Sequence, residues 1–130
     1  MTLLLDENLS PKIATALKAL GREVTHVNEI LPRGTTDEEI FSKLAELGWY
    51  LLTQDIKIKR HKHQREAMIR AGIGAFIFMG RADKSLEEMT IKILQHLDEI
   101  ESLVSNTRRP FVFGISDRGK IERLDKESSS

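Results

Sequence analysis

The stretch LLLDENLSP, from Leu3 to Pro11, decides how this chain folds. Its three leucines form a short apolar run typical of a buried strand, and the run stops abruptly at two adjacent acids, Asp6 and Glu7. Ser10 and Pro11 then begin a helix, because serine is a favoured N-cap and proline suits the first helical position. The stretch therefore predicts the first βα unit of a parallel sheet, and paired acids at that place usually have a cation to hold.

The alternation of short apolar runs with amphipathic segments continues along the rest of the chain. The run TTDEEIF, from Thr35 to Phe41, begins a second helix, a short third helix is expected from His63 to Ala71, and a capping box from Ser85 to Glu88 begins a fourth. The pattern predicts an α/β protein with three layers, α/β/α, and a mostly parallel central sheet. The expected strands are 2–5, 23–27, 49–53, 75–79 and 111–115, and a turn near 117–119 leads to a possible short return strand.

Composition limits the kind of protein this is. At 130 residues the chain suits one domain, which we expect to span 1–122, with a flexible C-terminal tail at 123–130. Lys and Arg together number 20, as do Asp and Glu, so any surface for nucleic acid must come from local charge segregation. There is no cysteine, which excludes disulfides and thiolate metal sites. With no export signal or membrane-length apolar run in the sequence, we expect a cytoplasmic protein without a membrane partner.

Three groups of acids fall where a parallel sheet binds its ligands. Asp6 and Glu7 follow the first predicted strand, Asp55 follows the third, and the run Asp37 to Glu39 begins a helix after a glycine-containing loop. Because ligands bind at the carboxyl ends of parallel strands, these acids are expected to meet in one pocket. Each group also has a structural interpretation, since acids favour the first turn of a helix and aspartates form turns.

The type of ligand indicates the type of metal. Clustered carboxylates without histidine or cysteine in the same loops favour a hard, oxygen-preferring ion such as Mg²⁺ or Mn²⁺. Such an ion polarises a phosphodiester, generates hydroxide from water and stabilises the departing oxygen.

At these residues the sequence resembles the PIN-like nucleases, especially the short bacterial and archaeal branch that includes the toxins of toxin-antitoxin pairs. The motifs LLLDENLSP, GREVTHVNEI, TTDEEIF and YLLTQDIKI occur in that family's order, and the similarity extends from about Met1 to Phe78. The resemblance implies the three-layer fold, an endoribonuclease activity that depends on Mg²⁺ or Mn²⁺, and a cognate antitoxin that blocks the site.

The resemblance also implies which residues carry the reaction. By motif position Asp6, Asp37 and Asp55 are the expected catalytic, metal-binding carboxylates, with Glu38 as a further metal ligand and Glu7 as a secondary candidate. Members of the family often follow the last motif with another acid and an aromatic residue. This chain instead continues IKIKRHKHQR, which leaves the usual set of four acids incomplete.

The segment IKIKRHKHQR, which replaces the family's usual acid and aromatic residue, has positive charge directly after Asp55. A polyanion that approaches an acidic site needs cations at its rim, so we expect this segment to contact RNA phosphates. The alternative is a solvated, mobile loop, as charge runs often are. The predicted RNA-binding residues are Lys57, Lys59, Arg60, Lys62 and Arg65.

Two other functions stay open. A PIN-like module without catalytic activity would bind RNA or protein through the same fold, and the missing fourth acid favours it. A phospho-acceptor receiver domain also has two acids after its first strand and an aspartate after its third, but the sequences FMGRAD and GISDRG lack the hydroxyl residue and lysine expected after its later strands. The fourth helix has a long apolar face, which predicts packing on the sheet and leaves a homodimer or antitoxin contact as a second use.

Overall fold

The computed structural model describes residues 1–55, 61–81 and 84–125. Its strands are β1 (Leu3–Leu5), β2 (Val24–His26), β3 (Tyr50–Asp55), β4 (Gly74–Met79), β5 (Phe111–Ile115) and β6 (Ile121–Arg123). Its α-helices are α1 (Pro11–Ala19), α2 (Asp37–Leu47), α3 (His61–Ala71) and α4 (Leu86–Asn106), and one 3-10 turn covers Val27–Glu29.

The six strands form one sheet in the order β2-β1-β3-β4-β5-β6. Strands β1 to β5 are parallel to their neighbours, and β6 pairs antiparallel with β5 as the predicted return strand. Helices α1 and α4 pack in the core on one face of the sheet, whereas α2 and α3 pack on the other. The predicted α/β fold with three layers is therefore confirmed, and the apolar face of α4 is buried within it.

The helices begin where their capping residues predict. The Ser10 Oγ accepts a hydrogen bond from the Lys12 amide, and the Thr36 Oγ1 accepts one from the Glu39 amide. The capping box of α4 is complete, since the Ser85 and Glu88 side chains each accept from the other residue's amide. Helix α3 differs from its prediction, because it begins at His61 rather than His63. Its first turn is entirely polar, so no apolar periodicity marked it in the sequence.

The end of the chain is ordered further than expected. Arg123 is the last residue of β6, and the Leu124 amide donates to the Val112 carbonyl at 2.7 Å. The Asp125 carboxylate accepts from the Val112 amide at 3.1 Å and from the Arg123 guanidinium at 2.8 Å. Residues 123–125 thus belong to the folded domain and not to the predicted tail, while 126–130 lie outside the described residues.

This topology defines one functional edge. Because β1 to β5 are parallel, their carboxyl ends lie at the same edge of the sheet, which we call the carboxyl edge. The α-helices that follow β1 to β4 begin at that edge too. No helix in the described segments combines the length and apolar character that a bilayer crossing requires.

Candidate metal centre

Asp6 lies directly after β1 and is fixed at both carboxylate oxygens. Its backbone amide donates to the Leu52 carbonyl at 3.1 Å, which continues the pairing of β1 with β3 by one residue. The Oδ1 atom accepts from the Glu7 amide at 2.8 Å, and the Oδ2 atom accepts from the Thr53 hydroxyl at 2.9 Å. A carboxylate offers about four lone-pair positions, so Asp6 is oriented and still has acceptor capacity for a cation.

Thr53 and Asn8 hold Asp6 in place. Thr53 is 4% exposed, and its Oγ1 accepts from the Asn8 Nδ2 at 3.1 Å. The Thr53 proton therefore goes to Asp6, which is nearer than the Asn8 Oδ1 at 3.3 Å and carries the charge. Asn8 also bonds the backbone of Gln54 through both ends of its amide. These contacts join the loop after β1 to the end of β3.

Sequence reasoning missed both of these residues. A signal was present, since Asn8 lies inside the run DEN and Thr53 is a polar residue in the otherwise apolar run YLLT. A buried hydroxyl usually has a hydrogen-bond partner, which makes Thr53 a candidate for contacting a neighbouring strand end.

Glu7 has a different task from Asp6. Its Oε1 atom accepts from the Asn28 side chain at 3.1 Å and from the Gly34 amide at 3.0 Å. Gly34 has a φ of 80°, a conformation that side chains disfavour, so glycine suits this turn. Glu7 therefore fixes the loop that leads into α2, whose first residue is Asp37.

Asp37 comes close to the two acids after β1. Partial burial raises the pKa of Asp37 above its usual value, and the charges of Asp6 and Glu7 raise it further. A hydrogen bond from the Gln64 side chain opposes these effects on the pKa. Like charges raise the pKa of a carboxylate only at short range, so Asp37 lies in the neighbourhood of the acids that follow β1.

Asp55 is described by its backbone, and it is the last residue of β3 rather than a residue after that strand, because the pairing with β4 continues to this position. It pairs with Met79 in the last register position between β3 and β4, which puts it at the carboxyl edge one strand away from Asp6. Glu38 is exposed on α2. It follows Asp37 on the helix and so points about 100° away from it. Its role as a ligand stays a prediction.

The predicted RNA-binding segment is only partly described. Lys57, Lys59 and Arg60 lie outside the described residues. Lys62 is exposed and Arg65 is half-buried, and both lie on α3 rather than in the predicted loop. Between them Gln64 bonds Asp37, so this end of α3 borders the acids.

The donor set suits a hard cation. Among the described side chains no group of three or more His, Cys, Asp or Glu is close enough to hold a metal, and the Asp55 side chain is not among those described. Asp6 and Asp37 nevertheless provide oxygen donors whose repulsion a cation would relieve. Mg²⁺ is often held by one or two carboxylates with water completing its shell, so these residues fit Mg²⁺ or Mn²⁺.

Comparison with known proteins agrees with this architecture. A sequence model for a family described as a PIN-like domain matches residues 1–80. The match includes Asp6, Asp37 and Asp55 and ends just after β4. No curated protein and no solved structure gives a match to the chain.

Proposed function

Because this chain belongs to the family of PIN-like domains, which are generally nucleases, we propose that it is an endoribonuclease dependent on Mg²⁺ or Mn²⁺. The observation that carries the proposal is the approach of Asp37 to Asp6 and Glu7 without a compensating cation. No lysine or arginine in the described part of the chain forms an ion pair with Asp6 or Asp37. Repelling carboxylates destabilise a fold, and binding a divalent ion would offset that cost.

In the proposed site the carboxylates would bind the ion, and neighbouring polar side chains would orient those carboxylates. Asp6 and Asp37 would hold the ion, with Asp55 as the third carboxylate at the same edge. Thr53 and Asn8 fix the Asp6 oxygens, and the preorganised carboxylates need no rearrangement when substrate arrives. When bound, the ion would supply Lewis-acid polarisation of the phosphodiester and lower the pKa of water beside it.

The cations near the acids would orient the substrate. Lys62 and Arg65 lie on α3 on either side of Gln64, which lowers the pKa of Asp37, so their long side chains would extend toward a phosphate bound at the acids. Lys57, Lys59 and Arg60 are assigned to the same task from the sequence.

The biological role we propose is that of a toxin in a toxin-antitoxin pair. Such a nuclease acts on cellular RNA in the cytoplasm and is kept inactive by a cognate antitoxin. The carboxyl edge is the surface that such an inhibitor would have to cover, because all the proposed catalytic acids lie there. Loss of growth on expression of the chain, and its rescue by a co-expressed protein that binds this edge, would test this role.

The nuclease is tested by replacing Asp6 with asparagine. Asn keeps the shape of the side chain, its oxygen still accepts from the Glu7 amide, and its NH₂ group donates to the Thr53 hydroxyl, but it removes the charge that binds the ion. We expect cleavage of single-stranded RNA in Mn²⁺ to fall at least about a hundredfold, because several kcal/mol of metal-dependent stabilisation is lost. Calorimetry should show weaker Mn²⁺ binding, and the thermal unfolding temperature without metal should not fall.

A matched control is Asp98→Asn, at a carboxylate whose side chain is 91% exposed on α4, far from the acids. It should cleave RNA like the wild type. If wild type and Asp6→Asn retain RNA equally and neither cleaves it, the chain is a binding module instead. That alternative is favoured by one observation: among the described side chains no three or more acids or histidines are close enough together to hold a metal.

A further inference from the structure

A second polar site lies further along the carboxyl edge, outside the segment that contains the acids. It is a groove of about 790 Å³ between the ends of β4 and β5 and the first half of α4. Its walls carry charge of both signs, with cations in the majority. The groove is lined chiefly by Arg81, Lys84, Glu88, Lys92, Asp117 and Arg118.

The floor of this groove contains two ammonium groups on one carboxylate oxygen. Lys84 and Lys92 both form ion pairs with the Asp117 Oδ1, the latter at 3.1 Å, and each lysine side chain is only 10% exposed. The Arg81 amide donates to the other oxygen at 3.1 Å. Gly80 permits this approach, because a Cβ at that position would come within 2.4 Å of the Asp117 carboxylate.

Among the described residues one carboxylate faces these two ammonium groups, so a positive charge remains at the floor. An ammonium has three N–H donors. Lys84 uses two of them, on Asp117 and on the Arg81 carbonyl at 3.0 Å. Lys92 uses one on Asp117 and lies 5.6 Å from the centre of the Phe78 ring. Both lysines therefore keep donors for a further acceptor, and burying such charge without one is costly.

The other charges of the groove do not cancel this excess. Glu88 forms an ion pair with Arg81 at 3.4 Å and also caps α4, so its charge is already engaged. Arg118 and Glu99 are exposed residues at the rim. The described lining as a whole has four Lys or Arg residues against three Asp or Glu residues, so the site is net positive with open access, which suits a small anion or one group of a polyanion.

Hydrogen bonds connect the groove to the metal centre. The Gln54 Nε2 donates to the Arg81 carbonyl at 3.1 Å, and the backbone of Gln54 is held by Asn8, which also bonds Thr53. From β1 to β5 there are three strand spacings, or roughly 14 Å at ~4.8 Å each. A nucleic-acid strand that lies in the metal centre can span that distance with a few nucleotides.

We propose that the groove around Lys84, Lys92 and Arg118 binds a backbone phosphate of the RNA, flanking the bond that is cut at the metal centre. The inference rests on the proposed nuclease function for the identity of the polyanion. What this inference adds to the proposed function is a second phosphate-binding subsite, beyond β4, that requires no metal. Phosphate contacts of this kind fix the register of a strand without reading its sequence.

The test measures binding of a fluorescent single-stranded RNA to the full chain in EDTA over a series of salt concentrations. Arg118→Gln and Lys92→Met each remove one cation from the groove. Each variant should bind several-fold more weakly at low salt, and the slope of log K against log salt should become shallower by about 0.7 for each lost phosphate contact. The control Arg108→Gln, at an exposed residue near the amino end of β5, should leave affinity and slope unchanged.

Inorganic phosphate is the second probe, because its binding does not depend on the nuclease proposal. Chemical-shift changes of amides around Asp117 on phosphate titration should weaken in both groove variants. If Lys92→Met fails to fold, Arg118→Gln decides alone, because its side chain is at the exposed rim.

The outcomes separate this inference from the proposed function. If both groove variants bind RNA with the affinity and the salt slope of the wild type, the flanking subsite is overturned. This holds even where Asp6→Asn still abolishes cleavage. A subsite that binds RNA in a chain that never cleaves it would uphold the groove and refute the nuclease. Phosphate bound at the groove without any effect of the variants on RNA would show free-anion binding only, which also overturns the proposal. Failure of the wild type to bind either probe in EDTA would overturn the subsite, whereas the nuclease is decided separately by cleavage in Mn²⁺.

Discussion

The two halves of the carboxyl edge shift the pKa of an aspartate in opposite directions. In the acidic half, at the end of β1 and the start of α2, burial and the charges of Asp6 and Glu7 raise the pKa of Asp37. In the lysine-rich half, at the ends of β4 and β5, the Lys84 ammonium, the Arg81 amide and the Lys92 ammonium hold the pKa of Asp117 far below its usual range. Both aspartates end up beside the carboxyl ends of parallel strands, so position alone does not decide their behaviour.

The two aspartates differ in whether described cations of the chain neutralise their negative charge. Asp117 receives its counter-charges from the chain itself, and it therefore contributes to folding without any ligand. Asp37 faces carboxylates whose charge the described residues leave unmatched, and this is the place where we propose that a cation binds. With the proposed phosphate subsite in the other half, the edge would have the two kinds of site that a metal-dependent enzyme acting on a phosphodiester requires.

The largest expected effect is on stability in the lysine-rich half. Asp117→Asn removes the carboxylate from two mostly buried ammonium groups. Breaking a buried pair on one side costs several kcal/mol, and solvent at the partly exposed Asp117 reduces this to about 2 kcal/mol in the free energy of unfolding. Urea denaturation at neutral pH measures it.

The matched control for this change is Asp98→Asn, which removes an aspartate that is paired with Arg22 but is 91% exposed. Its expected cost is below about 0.5 kcal/mol. Equal losses in the two variants would mean that burial of the lysines does not distinguish Asp117, and the contrast between the two halves would fail.

A smaller loss of stability is expected when the Thr53 hydroxyl, which orients Asp6, is removed. Thr53→Val keeps the shape of the side chain but leaves the Asp6 Oδ2 and the Asn8 amide without their common partner. The expected loss is about 1 to 2 kcal/mol in the free energy of unfolding, together with weaker Mn²⁺ binding, because only one of the two Asp6 oxygens is still held.

Thr25→Val on β2 is the control, since Thr25 is a half-buried strand residue without a described side-chain hydrogen bond. It should retain wild-type Mn²⁺ affinity. If Thr53→Val loses stability but binds Mn²⁺ as before, the hydroxyl supports the fold and does not position the metal ligand.

The sequence predicts the acidic half better than the lysine-rich half for a physical reason. Asp6, Asp37 and Asp55 follow strands or begin helices, and parallel topology alone sends such residues to one edge. The groove depends on side-chain reach instead, because Lys84 and Lys92 come from the region before and within α4, whereas Asp117 lies in the turn after β5. No short-range pattern links residues so far apart along the chain. Thr53 and Asn8 were missed for the same reason, since their partnership crosses from β3 to the loop after β1.

The limits of α3 and β6 were also harder to predict from the sequence than their existence. The polar first turn of α3 has no apolar periodicity, so the helix was expected two residues late. The sequence places 123–130 in a tail, yet the Asp125 carboxylate accepts from the Val112 amide and keeps the segment as far as residue 125 on the sheet. At this end of the chain hydrogen bonds rather than a hydrophobic pattern determine the boundary.

The smallest predicted effect concerns the pH dependence of Asp37. Its folded-state pKa is above the ordinary value of 3.8, so between the two values the folded protein binds more protons than the unfolded chain. Stability contributed by Asp37 therefore falls as the pH rises through that window and stays low at pH 7. Asp117 has the opposite sign, because its pKa is lowered by folding, and its contribution is lost as the pH falls below the ordinary value.

Asp37→Asn should remove the charge that Asp6 and Glu7 repel. In EDTA the variant should therefore be more stable than the wild type between pH 3 and pH 7, by about 0.5 kcal/mol in the free energy of unfolding. The substitution also removes an acid from the first turn of α2, which costs a few tenths of a kcal/mol through the helix dipole. Glu39→Gln in the same turn has that cost without the contact to Asp6 and Glu7, so the difference between the two variants isolates the repulsion. Identical pH profiles of unfolding for the two variants would mean that Asp37 meets no repulsion, and the acidic half would then have no need of a cation.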